Sequence, residues 1–340
     1  MKISGIGIIS LSIFLIICTP AFSEFQPDFD TFEIVMEKTN DSWNSKGPAG
    51  CFILFDEGMY RMWFTGRRGP VDNRNYFSIG YADSKDGVHW ENIQLLLECY
   101  DYNIFYSPCV LFEGDKYKIY FSGYYIDILN QWAHYIALSE STEGVDIKSP
   151  LTVLTGTGNY NDFDGRNVRT PFVCKSENKY IMYYVGGKAY KKIPENQETF
   201  IASVESEDGK HWNNRRIIFS ENDLFHDPNH QSWLFSPSIM KNENGTQTML
   251  FSYSFYFKFY NKDISCIFAS DSKDGENWSK PYPVLQYPEI KNINQKYSMT
   301  SIPYPFVFQD PSGKVFLYFS VYNEKNENLA LARIELKNFD

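Results

Sequence analysis

The sequence predicts an all-β fold, a five-bladed β-propeller, from three observations. One turn is written three times, as "SKDGVHW" at 84–90, "SEDGKHW" at 206–212 and "SKDGENW" at 272–278, with a worn copy, "STEGVDI", at 141–147. A short apolar strand recurs five times, each time followed by an aromatic strand. The two motifs also keep register: Pro108 to Ser141 is 33 residues, Pro171 to Ser206 is 35 and Pro237 to Ser272 is 35. Cys51 stands where the Pro would be in the first copy, 33 residues before Ser84. A constant offset between unlike motifs marks one structural unit repeated along the chain.

The chain opens on "MKISGIGIISLSIFLIICTPAFSEF": one cation, an apolar stretch from Ile6 to Ile17, Pro20, then Ala21 and Ser23 at small-residue spacing. That pattern predicts a secretory signal over 1–23, cut before Glu24, with a retained N-terminal anchor as the competing reading. The expectation is a secreted or periplasmic protein with no membrane span after signal removal. Residues 24–340 form a single domain whose blades run at about 44–92, 101–147, 164–214, 230–280 and 298–338.

Each blade begins with a short strand: "GCFILF" (50–55), "SPCVLF" (107–112), "TPFVCK" (170–175), "SPSIMK" (236–241) and "YPFVFQ" (304–309). The aromatic strands follow, "YRMWFTG" (60–66), "YKIYFSG" (117–123), "YIMYYVG" (180–186), "QTMLFSY" (247–253) and "VFLYFSV" (315–321). Third come "FSIGYADS", "YIALSES", "FIASVES", "CIFASDS" and "NLALARI". All are apolar or aromatic at strand length and bounded by turn residues. Small antiparallel sheets of this kind cannot bury both faces alone, which favours a closed radial array over a sandwich. Asp-Gly enters positive φ cheaply, so it makes the turn, and the Trp that closes each copy packs into an equivalent pocket at the blade periphery.

Composition narrows the function. The formal net charge is −10 with no run of Lys or Arg, which argues against nucleic acid and against anionic membrane surfaces. Beyond the leader, Cys51, Cys99, Cys109, Cys174 and Cys266 lack C-x-x-C spacing and read as small apolar residues.

The run from "YRMWFTGRRG" to "SIGYADSKDGVHW" resembles the five-bladed glycosidase superfamily that contains the arabinanase/xylosidase-like, invertase-like and mannoside-phosphorylase-like families. The resemblance covers roughly residues 40–336. It implies a carbohydrate partner, an oligo- or polysaccharide, held at the central axis by residues at or just before the Pro positions, and no cofactor. It also implies three carboxylates on the inner strands of blades one to three, since glycosidic cleavage needs an acid paired with a base or nucleophile. At those positions this chain has Gly50, Ser107 and Arg169.

Other polar residues stand at recurring offsets. Asp101 lies seven residues before Pro108, Asp164 seven before Pro171, His230 seven before Pro237 and Asn44 seven before Cys51. Asp164 and Asp101 form the candidate carboxylate pair, with local turn acceptors as the competing reading. Arg169, Arg166, Arg67, Ser107, Asn44, His230 and Tyr304 are the candidate substrate-binding residues. Arg67 and Arg68 close the second strand, where a guanidinium can grip hydroxyls or a carboxylate. Trp43, Tyr106, Tyr124, Trp233 and Tyr304 are candidates for stacking on sugars. His226, Asp227 and His230 are close in sequence, but Pro228 breaks the helix that would align the imidazoles, so no metal site is expected.

The expected function is therefore a glycoside hydrolase or related glycosyl-transferring enzyme with a rearranged acid/base set. The alternatives are a non-catalytic glycan-binding propeller and a protein-interaction platform.

Overall fold

The computed structural model describes residues 25–71, 74–100, 103–126, 132–159, 161–176, 179–188, 198–224, 232–257, 262–286, 304–323 and 328–338. It is a five-bladed β-propeller of four-stranded antiparallel sheets. Four sheets take their strands in chain order. The first is β2 (Gly47–Asp56), β3 (Met59–Val71), β4 (Arg74–Ser84) and β5 (Glu91–Leu97). The second is β6 (Ile104–Glu113), β7 (Lys116–Ile126), β8 (Trp132–Ser141) and β9 (Leu151–Thr155). The third is β10 (Asn167–Ser176), β11 (Lys179–Gly187), β12 (Thr199–Ser206) and β13 (Asn213–Ser220). The fourth is β14 (Ser232–Lys241), β15 (Gln247–Phe257), β16 (Lys262–Ser272) and β17 (Tyr282–Leu285). Each inner strand touches the next around the ring, and the last returns to β2.

The fifth sheet is built from both ends of the described chain. Strands β18 (Phe306–Gln309), β19 (Val315–Asn323) and β20 (Asn328–Asn338) are completed by β1 (Phe25–Met36) as the outermost strand. Its register runs from Phe25 opposite Asn338 to Met36 opposite Leu331. Closing the ring this way joins the two ends through main-chain hydrogen bonds. The sequence repeat does not reveal this strand: Pro27, Asp28 and Asp30 break the alternation of "FQPDFDTFEIVM". An outer edge tolerates Pro27.

The repeated turn has a second purpose besides reversing the chain. In all four copies the Ser hydroxyl accepts the Gly N–H three residues on, at 2.9 Å for Ser84–Gly87, 2.8 Å for Ser141–Gly144, 2.9 Å for Ser206–Gly209 and 2.9 Å for Ser272–Gly275. The glycine carbonyl then points at the preceding blade. Trp63 Nε1 donates to Gly144 O at 2.7 Å, Tyr120 Oη to Gly209 O at 2.9 Å, Tyr183 Oη to Gly275 O at 3.0 Å and Tyr318 Oη to Gly87 O at 3.2 Å. Each donor is the fourth residue of its aromatic strand. The fourth blade has Leu250 there, facing a fifth blade whose sequence lacks the turn motif. The closing tryptophans pack at the same boundaries: Trp212, 9% exposed, meets the Tyr120 ring edge-on at 6.1 Å, and Trp278 meets Tyr183 at 5.7 Å.

A second column of the repeat shapes the axis. The residue before each Pro, or before Cys51, has left-handed backbone: Gly50 (φ 80°), Ser107 (50°), Thr170 (51°), Ser236 (48°) and Tyr304 (64°). In blades one to four this residue falls in a β-bulge, where the pairing register shifts. Left-handed φ at a β-branched residue such as Thr170 costs about 1 kcal/mol or more, so the surroundings must enforce it. They do so with hydroxyls from the neighbouring blade. Thr65 Oγ1 accepts the Ser107 N–H at 2.9 Å, Ser122 Oγ accepts Thr170 N–H at 2.7 Å, and Ser320 Oγ accepts Gly50 N–H at 2.9 Å. All three hydroxyls occupy the sixth position of the aromatic strand.

Candidate functional site

The five left-handed residues and the positions that follow them surround a narrow cavity of about 40 Å³. Its wall is the repeat itself: Gly50–Phe52, Ser107–Pro108, Thr170–Phe172, Ser236–Ser238 and Tyr304–Phe306. Phe52 packs against Phe306 at 4.8 Å and against Phe172 at 6.0 Å, joining blades one, three and five at the axis. Beside this cavity, and sharing Tyr304 with it, lies a larger one of about 150 Å³. It is lined by Ala49, Thr65, Phe77, Tyr106, Tyr124, His134, Arg169 and Tyr304.

The larger cavity is the chemically richer. Tyr106 Oη and His134 Nδ1 are hydrogen-bonded at 2.7 Å. His134 stands opposite Tyr124 in the β7–β8 pairing, with ring centroids 5.1 Å apart. Burial, and then the charges of Arg169 and Arg166, hold the imidazole well below its ordinary pKa, so it is neutral. Burial also pushes the Tyr106 and Tyr304 phenols up, against the opposing charge of Arg169. The guanidinium of Arg169 stacks over the Phe235 ring at 5.2 Å. Its Nε is buried and has no hydrogen-bond partner among the described residues. The wall thus offers three phenols, a neutral imidazole and one cation, which can bind sugar hydroxyls or an anion. Among the described residues, neither cavity is lined by a carboxylate.

The residues singled out from sequence separate into four groups. Arg169, Ser107 and Tyr304 line the cavities, and Tyr106 and Tyr124 of the stacking set join them. Arg166 and Arg67 act from nearby through charge, Arg166 on His134 and Arg67 on Tyr304. Asp101 and His230, with His226 and Asp227, lie outside the described residues.

Asp164 and Asn44 sit elsewhere. Asp164 is 1% exposed and belongs to neither cavity wall. Its Oδ2 accepts the Tyr184 hydroxyl at 2.7 Å and pairs with Arg215 Nη1 at 2.6 Å. Arg215 also donates to the Thr155 carbonyl at 2.8 Å, so the carboxylate ties the third blade's outer strand to the second's. The reason is local. The segment before β10 folds back on itself, with Gly158 N–H donating to Gly165 O at 2.8 Å, so seven residues of chain do not carry Asp164 to the mouth. Asn44 is fully buried in the short 3-10 turn Ser42–Asn44, and its amide atoms have no partner among the described residues. Neighbouring Trp43 is core, packed on Phe64 at 5.6 Å and filling the space over Gly66 and Gly80.

Sequence reasoning passed over His134, Thr65, Phe77 and Ala49. Thr65 had a signal, because it occupies the hydroxyl column shared with Ser122, Ser252 and Ser320. His134 had none: a lone His in an aromatic strand says nothing until blades two and three converge on it.

A five-bladed propeller is a fold this chain shares with carbohydrate-active proteins of known structure. Residues 47–224 match the glycosyl hydrolases family 32 N-terminal domain. The chain belongs to that family. It is also similar to an uncharacterized protein of Mycobacterium tuberculosis, 29% identical over 109 residues that cover 30% of this chain and 36% of that one. It therefore spans about a third of that relative's length.

Among solved structures, it is similar to an N-acetylgalactosamine deacetylase from F. plautii in complex with blood group B trisaccharide. That match has a TM-score of 0.64 and 14% identity and covers 93% of this chain and 96% of the other. An α-L-arabinofuranosidase from Podospora anserina in complex with cellotriose matches at TM-score 0.63 and 9% identity, over 91% and 97%. A sucrose-6-phosphate hydrolase from Lactobacillus gasseri matches at TM-score 0.60 and 16% identity, over 94% of this chain and 63% of that one. At such identities the likeness is one of fold.

Proposed function

We propose that this chain is an exported glycan-recognition propeller that takes a sugar into the cavity beside its axis and does not cleave it. The observation that carries the proposal is the wall of that cavity: Tyr106, Tyr124, Tyr304, His134 and Arg169, with no carboxylate among the described residues. Aromatic faces and hydroxyl donors suit a sugar ring, whereas hydrolysis needs two carboxyl groups about 5–10 Å apart across the substrate. Tyr106, kept protonated by its raised pKa, cannot supply the base or nucleophile. The candidate leader at 1–23 supports export.

Family membership favours a second reading, in which the chain cleaves or transfers a glycosyl group with Asp101 as one of its acids. A glycan array and a reducing-sugar screen on one preparation of the mature protein separate the two. Binding without turnover is the expected result. Turnover that disappears in Asp101→Asn establishes the second reading, and silence in both assays removes the carbohydrate reading altogether.

A further inference from the structure

We infer that the sugar recognised by this cavity carries a carboxylate, so that the ligand class is a glycan ending in a uronic acid. The inference rests on the glycan-binding reading above and concerns which sugar enters.

Arg169 is the residue on which it turns. A guanidinium N–H withdrawn from water needs an acceptor, because the loss of its hydration is otherwise uncompensated, and the buried Nε of the half-buried Arg169 is such a donor. Arg169 has the Phe235 face on one side at 5.2 Å, and its Nε is buried without a hydrogen-bond partner among the described residues. The other described groups of the cavity wall are apolar, hydroxyl or imidazole, so none neutralises it. Ion pairs are common elsewhere: Arg215 has Asp164, Arg333 has Glu33, Lys118 has Glu113 and Lys179 has Glu205.

Two further arginines lie close enough for their charge to be felt by the wall. The charges of Arg169 and Arg166 both reach His134, and those of Arg169 and Arg67 both reach Tyr304. Of these three, Arg169 alone lines the cavity. His134 adds no charge, being held neutral, but with the phenols it can bond ring hydroxyls.

A carboxylate fits better than a bulkier anion. It is planar and matches the guanidinium fork with two parallel hydrogen bonds, a geometry that stacking on Phe235 helps to preset. The cavity, at about 150 Å³, is small, so an end residue enters and the rest of the glycan lies outside.

Isothermal titration of the mature protein with the methyl glycosides of galacturonic and glucuronic acid, their methyl esters, the parent neutral sugars and a 6-sulfated galactoside tests this. The expected result is a uronate bound at least about tenfold more tightly than its ester or neutral parent, since a charge-assisted bidentate pair is worth more than about 1.4 kcal/mol. In Arg169→Gln the uronate and ester affinities should converge. In Arg169→Lys, which keeps the charge and loses the fork, part of the preference should remain, and unfolding temperatures of both variants verify folding. Equal affinity for uronate and ester overturns the inference while leaving glycan binding intact. So does a sulfated sugar bound more tightly than either uronate. A glycan array positive only for neutral chains also overturns it, whereas an array with no positives removes the underlying reading instead.

Discussion

Tyr120 crosses the boundary between the second and third blades, donates its hydroxyl to the Gly209 carbonyl at 2.9 Å and sets its ring edge-on against Trp212. The turn that brings Gly209 there is held by Ser206 and by Asp208, whose Oδ1 accepts the Lys210 and His211 N–H groups, each at 2.8 Å. Repetition of the Ser-x-Asp-Gly motif thus follows from interblade packing: each copy presents one carbonyl to the blade before it, and the copies at 206–212 and 272–278 present an indole as well. Tyr120→Phe keeps the ring contact and deletes only the donor, stranding a buried carbonyl. The expected loss is about 1–3 kcal/mol of unfolding free energy, measured by urea denaturation. Unchanged stability would show that the hydrogen bond does not hold the blades together.

Closure of the ring by β1 gives the ends of the chain a stability role that the repeat does not disclose. Arg333 on β20 pairs with Glu33 on β1 at a partly buried site and stacks over Phe316 at 4.5 Å. Beneath β1, Phe25 is buried and Phe32 packs against the Phe319 ring at 6.3 Å. A chain beginning at residue 38 should lose these contacts together with the β1–β20 ladder. Size-exclusion chromatography and thermal melting are expected to show an aggregating or non-cooperatively melting protein. A truncated chain that melts as cooperatively as the full mature protein would mean that three strands suffice for the fifth blade.

The fold was legible because the short strand and the Ser-x-Asp-Gly turn stay in phase over four blades, and two columns of the aromatic strand between them prove to have their own duties. The fourth position of the aromatic strand (Trp63, Tyr120, Tyr183, Tyr318) reaches the next blade's turn, and the sixth (Thr65, Ser122, Ser320) holds bulges at the axis. The residues before the prolines could be placed at the mouth for the same reason. Strand β1 escaped because it pairs with residues about 300 positions away and has no counterpart in the repeat. Asp164 misled because an offset measured along a strand means nothing through a loop that folds back. His134 stayed hidden because its setting is made by Tyr106, Tyr124 and Arg169 together, from three separate strands.

For Asp164 the structure changes what a substitution should do. A catalytic carboxylate could be replaced by its amide with little loss of stability, but this one is buried and answers Arg215 and Tyr184 at once. Removing its charge leaves a guanidinium facing a neutral partner, and breaking a buried pair from one side typically costs about 3–5 kcal/mol. Because the Arg215 side chain is 25% exposed, the lower end of that range is expected for Asp164→Asn. Glycan binding, measured well below the new melting temperature, should be retained. A variant of normal stability that has lost binding or turnover would place Asp164 in the site after all.

The pH response of stability should reveal His134. Burial and the charges of Arg169 and Arg166 hold its folded pKa well below the ordinary histidine value of about 6.5. Below that value the unfolded chain takes up a proton that the folded chain refuses. His134 therefore contributes stability that is complete above the unfolded value and is lost as pH falls. Two other groups must be kept apart from it. His89, raised by its hydrogen bond to Asp86, has the opposite sign, contributing stability below the unfolded value that fades as pH rises. Glu113 is held down at about 2 by Lys118, Lys175 and Tyr180, so its contribution is present above the unfolded carboxylate value of about 4.3 and is lost only as pH falls below it. Between pH 7 and 5, the difference between the wild type and His134→Gln isolates the buried imidazole. The wild type should lose more stability across that interval than the variant, by urea denaturation at fixed ionic strength, even if loss of the Tyr106 hydrogen bond lowers the variant at every pH. Arg169→Gln should move the wild-type slope toward that of His134→Gln, because removing the cation lets the imidazole protonate more easily in the folded state. Parallel pH profiles for the wild type and His134→Gln would mean that the folded protein accommodates the imidazolium, and that the cavity is more polar than its described wall.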